Sequence, residues 1–274
     1  MNIYVIPTLI AATAFLFKKN YFLSGLFFGL TVSIKWQPII LLPLFCATIF
    51  NLKKFFSISA KNLFSFIIGF LLIPITVWML VFIQPGGSYT MKRSFNFILH
   101  GATALSGQAL NLNWIATYLL HIIEPVKYSS LAELGGLNRQ IETSLAPFFL
   151  QGYLFILAAG IILTRFWLFI KKDIYNFLNA ALMIFFSHQI LNKSAYEKHL
   201  FYTVFFILFI YLLRPTQGNR KLLILFDIMT VMNLIFFYGF TGAKDINRLF
   251  FGFDITIAFS IYYVAIFLWV FIKY

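Results

Sequence analysis

The sequence predicts an all-helical polytopic membrane protein, a single transmembrane domain of residues 1–274 with about eight or nine transmembrane or membrane-embedded helices. Hydrophobic residues make up 61% of the chain, against roughly 45–50% in soluble domains. Charged residues make up only 11%, whereas about a quarter are charged in a soluble protein. These fractions exclude a soluble enzyme, and such an apolar composition also excludes a disordered or fibrous chain.

The apolar residues fall into nine runs, which predict the helices in chain order. The runs are 3–17, 21–34, 38–50, 62–83, 147–164, 174–191, 199–213, 222–240 and 255–272. A complete span needs about 20 residues, so the shorter runs are typical of helices that line a cavity or lean on their neighbours. None of the runs shows the alternation that a membrane β-barrel requires.

The longest polar stretch, residues 85–146, separates the fourth run from the fifth. Loops of this length are usually functional or contain short helices of their own. This one contains polar and aromatic side chains such as Gln108, Asn111 and Trp114. We therefore expect a re-entrant or interfacial element that carries short helices, on the outer face.

Basic residues predict how the chain is oriented in the membrane. They occur in short clusters between the apolar runs, as with Lys18 and Lys19, and such clusters favour the cytoplasmic side. Placing these two lysines in the cytoplasm puts the C-terminus there as well, and leaves most carboxylates on the outer face. Because the net charge of +13 is distributed in this way, we expect a lipid bilayer and no nucleic acid as partner. A bacterial or archaeal plasma membrane is favoured over the endoplasmic reticulum.

Lys35 is the first candidate for binding chemistry, because it lies between two short apolar runs and is followed by Trp36, Gln37 and Pro38. Proline lacks a backbone donor and disfavours helix at the residue before it, so the chain should turn here. Two interpretations stay open for this lysine. It binds an anionic ligand, or its stem lies on apolar surface while its ammonium reaches the interface.

A second candidate is Tyr196-Glu197-Lys198-His199, which opens the seventh run, while His188 closes the sixth run on the same side. Cationic side chains beside the unpaired amide groups of a helix N-terminus suit a phosphate. The alternative is a solvated loop whose histidines bond to the backbone.

Three further features come from single residues or pairs. Arg248, in the last outer loop, either binds a phosphate through two hydrogen bonds or forms a surface ion pair with Asp245. Asp254 predicts the N-cap of the last helix. The GxxxG spacing of Gly25 and Gly29 predicts close packing against another helix. The sequence holds no P-loop or metalloprotease motif and points to no certain cofactor, and participation of a divalent metal stays open.

Three short motifs occur in order along the chain. Residues 21–38 contain Ser24-Gly25 and Lys35-Trp36-Gln37-Pro38, residues 105–114 read Leu-Ser-Gly-Gln-Ala-Leu-Asn-Leu-Asn-Trp, and residues 196–200 read Tyr-Glu-Lys-His-Leu. Together they resemble the GT-C superfamily of integral membrane glycosyltransferases, which use polyprenyl-phosphate-linked sugars. The chain departs from the family at Gln108, where an asparagine is common, and at Tyr196, which replaces a histidine.

The resemblance implies inverting transfer of a hexose, mannose or glucose, from a polyprenyl-phosphate-sugar donor. It implies that cationic side chains bind the donor phosphate, namely Lys35, Lys198, His199 and Arg248. It also implies a substrate cavity that includes His188, Gln108, Asn111, Trp114 and Tyr196.

The family places its catalytic aspartate in a first outer loop, and no such loop precedes the matching motifs here. We therefore expect this chain to be the C-terminal portion of such an enzyme, completed by a missing N-terminal segment or a partner protein. If the general base lies in this chain, Glu197 is the best-placed carboxylate. Two other classes stay open: a non-catalytic membrane subunit, and a transporter of small molecules or lipid-linked sugars.

Overall fold

The computed structural model describes most of the chain. The described residues are 4–50, 58–100, 105–106, 109–128, 141, 147, 150, 152–169, 172–193, 195, 200–239, 249–251 and 253–273. Within these ranges the chain is almost entirely helical, with one two-stranded hairpin. The helical class predicted from the sequence is therefore confirmed for the described part of the chain.

The helices follow the apolar runs in order. They are α1 Val5–Phe17, α2 Tyr21–Ile34, a 3-10 helix Gln37–Leu41, α3 Leu42–Ile49, α4 Ile58–Phe82, α5 Gly87–His100, α6 Leu112–Ile123, α7 Pro125–Tyr128, α8 Tyr153–Phe169, α9 Ile174–Leu191, α10 Phe201–Leu213, α11 Gln217–Tyr238 and α12 Ile255–Lys273. Strands β1 Leu249–Phe250 and β2 Phe253–Asp254 pair antiparallel just before α12. Helices α5, α6 and α7 lie within the long polar segment, as predicted.

Four of the described helices are long and apolar enough to cross a membrane: Ala60–Phe82 within α4, together with α9, α11 and α12. Their burial differs, since 17% of the α4 segment is buried against 72% of α9. Helix α4 thus presents most of its apolar surface outward, which is typical of lipid contact. These helices are those of an integral membrane protein in a lipid bilayer.

The chain divides into two compact units. Unit 1 comprises Met1–Gly101 and Leu163–Ala180, and unit 2 comprises Ala102–Ile162 and Ala181–Tyr274. The division falls within helices α8 and α9, so each of these helices contributes one part to each unit.

In unit 1, helices α2 and α4 pack with their backbones in direct contact. A Cβ atom added at Gly25 would lie 2.0 Å from the carbonyl oxygen of Phe66, and one at Gly69 would lie 2.2 Å from that of Phe22. Only glycine permits this approach. The close packing predicted from Gly25 and Gly29 is confirmed, and Gly69 is the matching position on α4.

Aromatic rings fill the remaining space of unit 1. The ring of Phe28 lies 4.5 Å from that of Phe45, which lies 5.7 Å from Phe66 and meets Phe177 edge-on at 5.2 Å. Buried hydroxyls bond across helices too, as Ser24 Oγ donates to the carbonyl oxygen of Ala12 at 2.8 Å. These contacts tie α1, α2, α3, α4 and the first turns of α9 into one core.

Lys172, between α8 and α9, closes the C-terminal end of α3. Its Nζ donates to the carbonyl oxygens of Ala47 and Phe50 at 2.5 and 2.6 Å. Partial burial lowers the pKa of this lysine. The last carbonyl groups of a helix have no intrahelical donors, so a cation there provides the missing hydrogen bonds.

Replacing Lys172 with methionine is expected to lower the free energy of unfolding by about 2 kcal/mol, because two part-buried carbonyl oxygens lose their donor. The measurement is thermal denaturation in detergent. Lys221→Met, which changes an exposed lysine of α11, is the matched control and should stay close to wild type. Equal destabilisation by both variants would mean that general loss of positive charge is responsible.

Unit 2 is organised around the C-terminal half of α9, where residues 181–190 are all buried. The ring of Phe185 stacks on Tyr202 of α10 at 4.6 Å. The next residue, Phe186, meets Phe226 of α11 and Phe267 of α12 edge-on at 4.8 and 5.3 Å. Helix α9 therefore contacts α10, α11 and α12 within this unit.

Candidate functional site

Unit 2 contains a buried group of polar side chains, here called the polar cluster. Its members come from residues 106–114, which lead into α6, from the end of α9, from α11 and from the start of α12. Each is 3% exposed or less: Ser106, Asn111, Asn113, Trp114, Gln189, Asn233, Asp254 and Thr256. A polar group this deep in an apolar bundle is costly unless it is hydrogen-bonded, so the bonding of each member is informative.

Asn111 joins the start of α6 to α9. Its Oδ1 accepts from the backbone N–H of Trp114 at 2.8 Å, which makes it the N-cap of the helix. Its Nδ2 donates to the backbone carbonyl oxygen of Gln189 at 3.2 Å. The same Oδ1 lies 3.4 Å from the hydroxyl of Ser106, which donates to it. One side chain therefore both starts α6 and attaches it to α9.

Trp114 joins α6 to the start of α12. Its indole Nε1 donates to the hydroxyl of Thr256 at 2.7 Å, and that hydroxyl donates to Asp254 Oδ1 at 2.6 Å. The ring meets Phe237 edge-on at 5.2 Å. Asp254 Oδ1 also accepts from the backbone N–H of Thr256 at 3.0 Å. The predicted N-cap role of Asp254 is therefore confirmed.

Asn233 joins α11 to the same segment. It is fully buried within a candidate membrane span, and its Oδ1 accepts from the backbone N–H of Leu110 at 2.8 Å. An asparagine in such a helix is disfavoured by its polarity, but here it satisfies a buried backbone donor. Residues 109–114 are thus fastened to three helices by side-chain hydrogen bonds.

Some polar atoms of the cluster have no hydrogen-bond partner within the described part of the chain. They are both side-chain heteroatoms of Asn113, both of Gln189, and Oδ2 of Asp254. Leaving such a group unpaired costs about 1–3 kcal/mol each. Native structures contain few of them, and each calls for an explanation such as a bound ligand or water.

The structure places four of the predicted site residues. Asn111 and Trp114 lie together in the polar cluster. His188 precedes Gln189 at the end of α9, where its ring meets Phe155 edge-on at 5.2 Å. Lys35 lies in unit 1, half-buried in extended backbone just after α2. The turn predicted there is confirmed, since α2 ends before it and a 3-10 helix that contains Pro38 begins at Gln37.

The other predicted site residues lie outside the described residues: Gln108, Tyr196, Glu197, Lys198, His199 and Arg248. The candidate set also missed members of the polar cluster. Asn233 and Thr256 could have been noticed because each is a polar residue within an apolar run, and Asn113 because it lies beside Trp114 in the motif of residues 105–114. What the run does not reveal is which of these side chains would bond to distant segments.

The polar cluster offers amides, hydroxyls, an indole N–H and a single carboxylate. No group of three or more His, Cys, Asp and Glu side chains that could hold a metal ion occurs among the residues that the structure describes. Comparisons of this protein with models of protein families, with curated proteins and with solved structures found no match.

Proposed function

We propose that this chain is a membrane glycosyltransferase, or the C-terminal portion of one. In this proposal it transfers a hexose from a polyprenyl-phosphate-sugar donor to an acceptor at the outer or lumenal face. One observation carries the proposal. The segment that resembles the GT-C motif, residues 105–114, supplies half of the polar cluster and is bonded to α9, α11 and α12. Burial of so many hydrogen-bonding groups supports a polar substrate at this place.

The proposed architecture has eight or nine membrane helices. Four are long enough by themselves, and shorter apolar helices supply the rest: Val5–Phe17, Tyr21–Ile34, Gln37–Ile49, Tyr153–Leu168 and Phe201–Leu213. Direct backbone packing of α2 on α4 supports this count, because a short helix can lean on a longer one. The C-terminus is placed in the cytoplasm, and a plasma membrane is favoured.

The proposed reaction is an inverting displacement. A base removes the proton of the acceptor hydroxyl, and the acceptor oxygen attacks the anomeric carbon of the donor. The bond from that carbon to the phosphate oxygen breaks, and the lipid phosphate leaves with the electron pair. Cations stabilise the leaving phosphate, and Lys198, His199 and Arg248 are assigned to this role. Glu197, or a carboxylate supplied by another segment or partner, is assigned as the base.

Lys198→Ala is expected to weaken donor binding about tenfold or more, because a charge-assisted contact to phosphate is lost. The measurement uses purified protein in lipid nanodiscs and radiolabelled polyprenyl-phosphate mannose or glucose, with binding and turnover scored separately. Lys221→Ala, which removes an exposed lysine at the start of α11, is the matched control and should bind as wild type does.

Each outcome of that assay favours or excludes one of the functional classes. Turnover supports a base within this chain, and Glu197→Gln then becomes the next variant. Lys198-dependent binding without turnover supports a donor site that another segment or partner completes. Absence of donor binding in the wild-type protein overturns the proposal. Substrate counterflow in proteoliposomes that contain no lipid-linked donor would favour the transporter.

A further inference from the structure

The most informative groups in the molecule are the unsatisfied polar atoms of Asn113, Gln189 and Asp254. Asn113 and Gln189 are fully buried and Asp254 is 3% exposed. Within the described ranges, no hydrogen-bond partner contacts either amide side chain or Oδ2 of the carboxylate. All three residues belong to unit 2.

Hydrogen bonds of adjacent groups bring these three residues close together, although the side chains of Asn113 and Gln189 make none themselves within the described part of the chain. Asn111 donates to the backbone of Gln189, and Trp114, the residue after Asn113, bonds through Thr256 to Asp254 Oδ1. The backbone carbonyl of Gln189 and Oδ1 of Asp254 are therefore bonded, whereas the remaining polar side-chain atoms have no partner among the described residues. This arrangement is typical of a preorganised binding site, in which the protein's own bonds position groups for a ligand.

The identity of the unpaired atoms restricts the ligand. Each amide presents an NH2 group with two donors as well as an acceptor oxygen, and Asp254 Oδ2 adds a further acceptor. A metal cation would satisfy only the oxygens and leave both NH2 groups unpaired. A phosphate would satisfy only the donors and would lie beside a carboxylate. A hydroxyl group both donates and accepts, so a set of neighbouring hydroxyls satisfies all of these atoms.

We propose that Asn113, Gln189 and Asp254 form a binding site for a neutral polyhydroxylated group, the ring of a hexose. The inference deepens the proposed function and rests on it for identifying that ring as the transferred sugar. The positions along the chain support a sugar phosphate. Gln189 is followed within nine residues by Lys198, and Asp254 comes six residues after Arg248. Gln189 and Asp254 therefore each have a residue assigned to the phosphate within nine positions along the chain.

Gln189→Met tests the site, because methionine has nearly the volume of glutamine but lacks the amide. Affinity for polyprenyl-phosphate mannose is expected to fall about fivefold or more, while affinity for polyprenyl phosphate without a sugar changes less than about twofold. The melting temperature without ligand should stay within about 2 °C of wild type or rise, since an unpaired polar group is removed. Asn113→Leu should behave in the same way.

Asn233→Leu is the matched control, because it changes a buried asparagine whose Oδ1 already bonds to Leu110 N. It should lower the melting temperature clearly. The inference is overturned if Gln189→Met and Asn113→Leu lower stability as Asn233→Leu does and leave sugar-dependent binding unchanged, which would assign the atoms to structural water. It is also overturned if the wild-type protein binds neither lipid-linked nor free hexose.

Two further outcomes separate this inference from the proposed function. If the wild-type protein binds free methyl mannoside in a Gln189-dependent manner but not the lipid-linked sugar, the sugar site stands and the lipid-phosphate donor fails. If it binds polyprenyl phosphate with and without the sugar equally well, and the variants change nothing, the donor proposal stands and the sugar site fails.

Discussion

Replacing Gly25 with alanine is expected to lower the free energy of unfolding by about 3 kcal/mol, since the new methyl group forces packed backbones apart. The added Cβ would lie 2.0 Å from the carbonyl oxygen of Phe66 and 2.8 Å from the backbone nitrogen of Phe70. Neither atom belongs to a flexible side chain, so relief requires α2 and α4 to separate. Gly69→Ala meets the backbone of Phe22 in the same way and should have a similar effect.

The matched control is Gly160→Ala, in the exposed part of α8, where an added Cβ meets nothing within 4 Å. Alanine favours the helix over glycine by about 1 kcal/mol, so this change should be neutral or stabilising. The measurement is unfolding in increasing SDS, followed by circular dichroism. If Gly25→Ala behaves like Gly160→Ala, helices α2 and α4 do not pack in direct contact.

The second large effect is expected from Trp114→Ala, which should lower the free energy of unfolding by about 3–5 kcal/mol. The indole is fully buried, meets Phe237 edge-on and bonds to Thr256. Its removal leaves a cavity. It also removes the N–H that donates to the Thr256 hydroxyl, and this hydroxyl in turn bonds to Asp254. The change should therefore disturb the polar cluster as well as the packing of α6 on α12.

Two companion variants separate these contributions. Trp114→Phe keeps much of the buried ring but deletes the N–H donor, and it should cost about 1–2 kcal/mol. Trp36→Ala removes an indole that is 45% exposed, and it should cost well under half as much as Trp114→Ala. SDS unfolding of the four proteins provides the comparison. Equal losses for Trp36→Ala and Trp114→Ala would contradict the buried position of Trp114.

The positions of the helices could largely be predicted from the sequence. An apolar run in a membrane must bond its own backbone N–H and C=O groups, and a helix does this within the run. The run 174–191 coincides with α9, and the run 199–213 differs from α10 by two residues. Larger differences occur where helices begin in polar sequence. Helix α11 starts at Gln217, before its run at 222–240, because Thr216 caps the first turn.

The polar cluster could be predicted only in part. Asn111 and Trp114 were identified from a motif. The partners of these residues come from far along the chain: Asn111 bonds to Gln189, and Trp114 to Thr256. Such pairs depend on how helices pack, which no local pattern reveals. For the same reason, the unpaired state of Asn113 could not be read from its position.

We propose that unit 2 binds the hexose of a lipid-linked sugar. The most direct measurement is a cryo-electron microscopy map of the protein in nanodiscs with polyprenyl-phosphate mannose. We predict density for the hexose in hydrogen-bond contact with Asn113, Gln189 and Asp254. Density for the lipid-linked sugar elsewhere, with these three side chains bonded only to water, would contradict the claim.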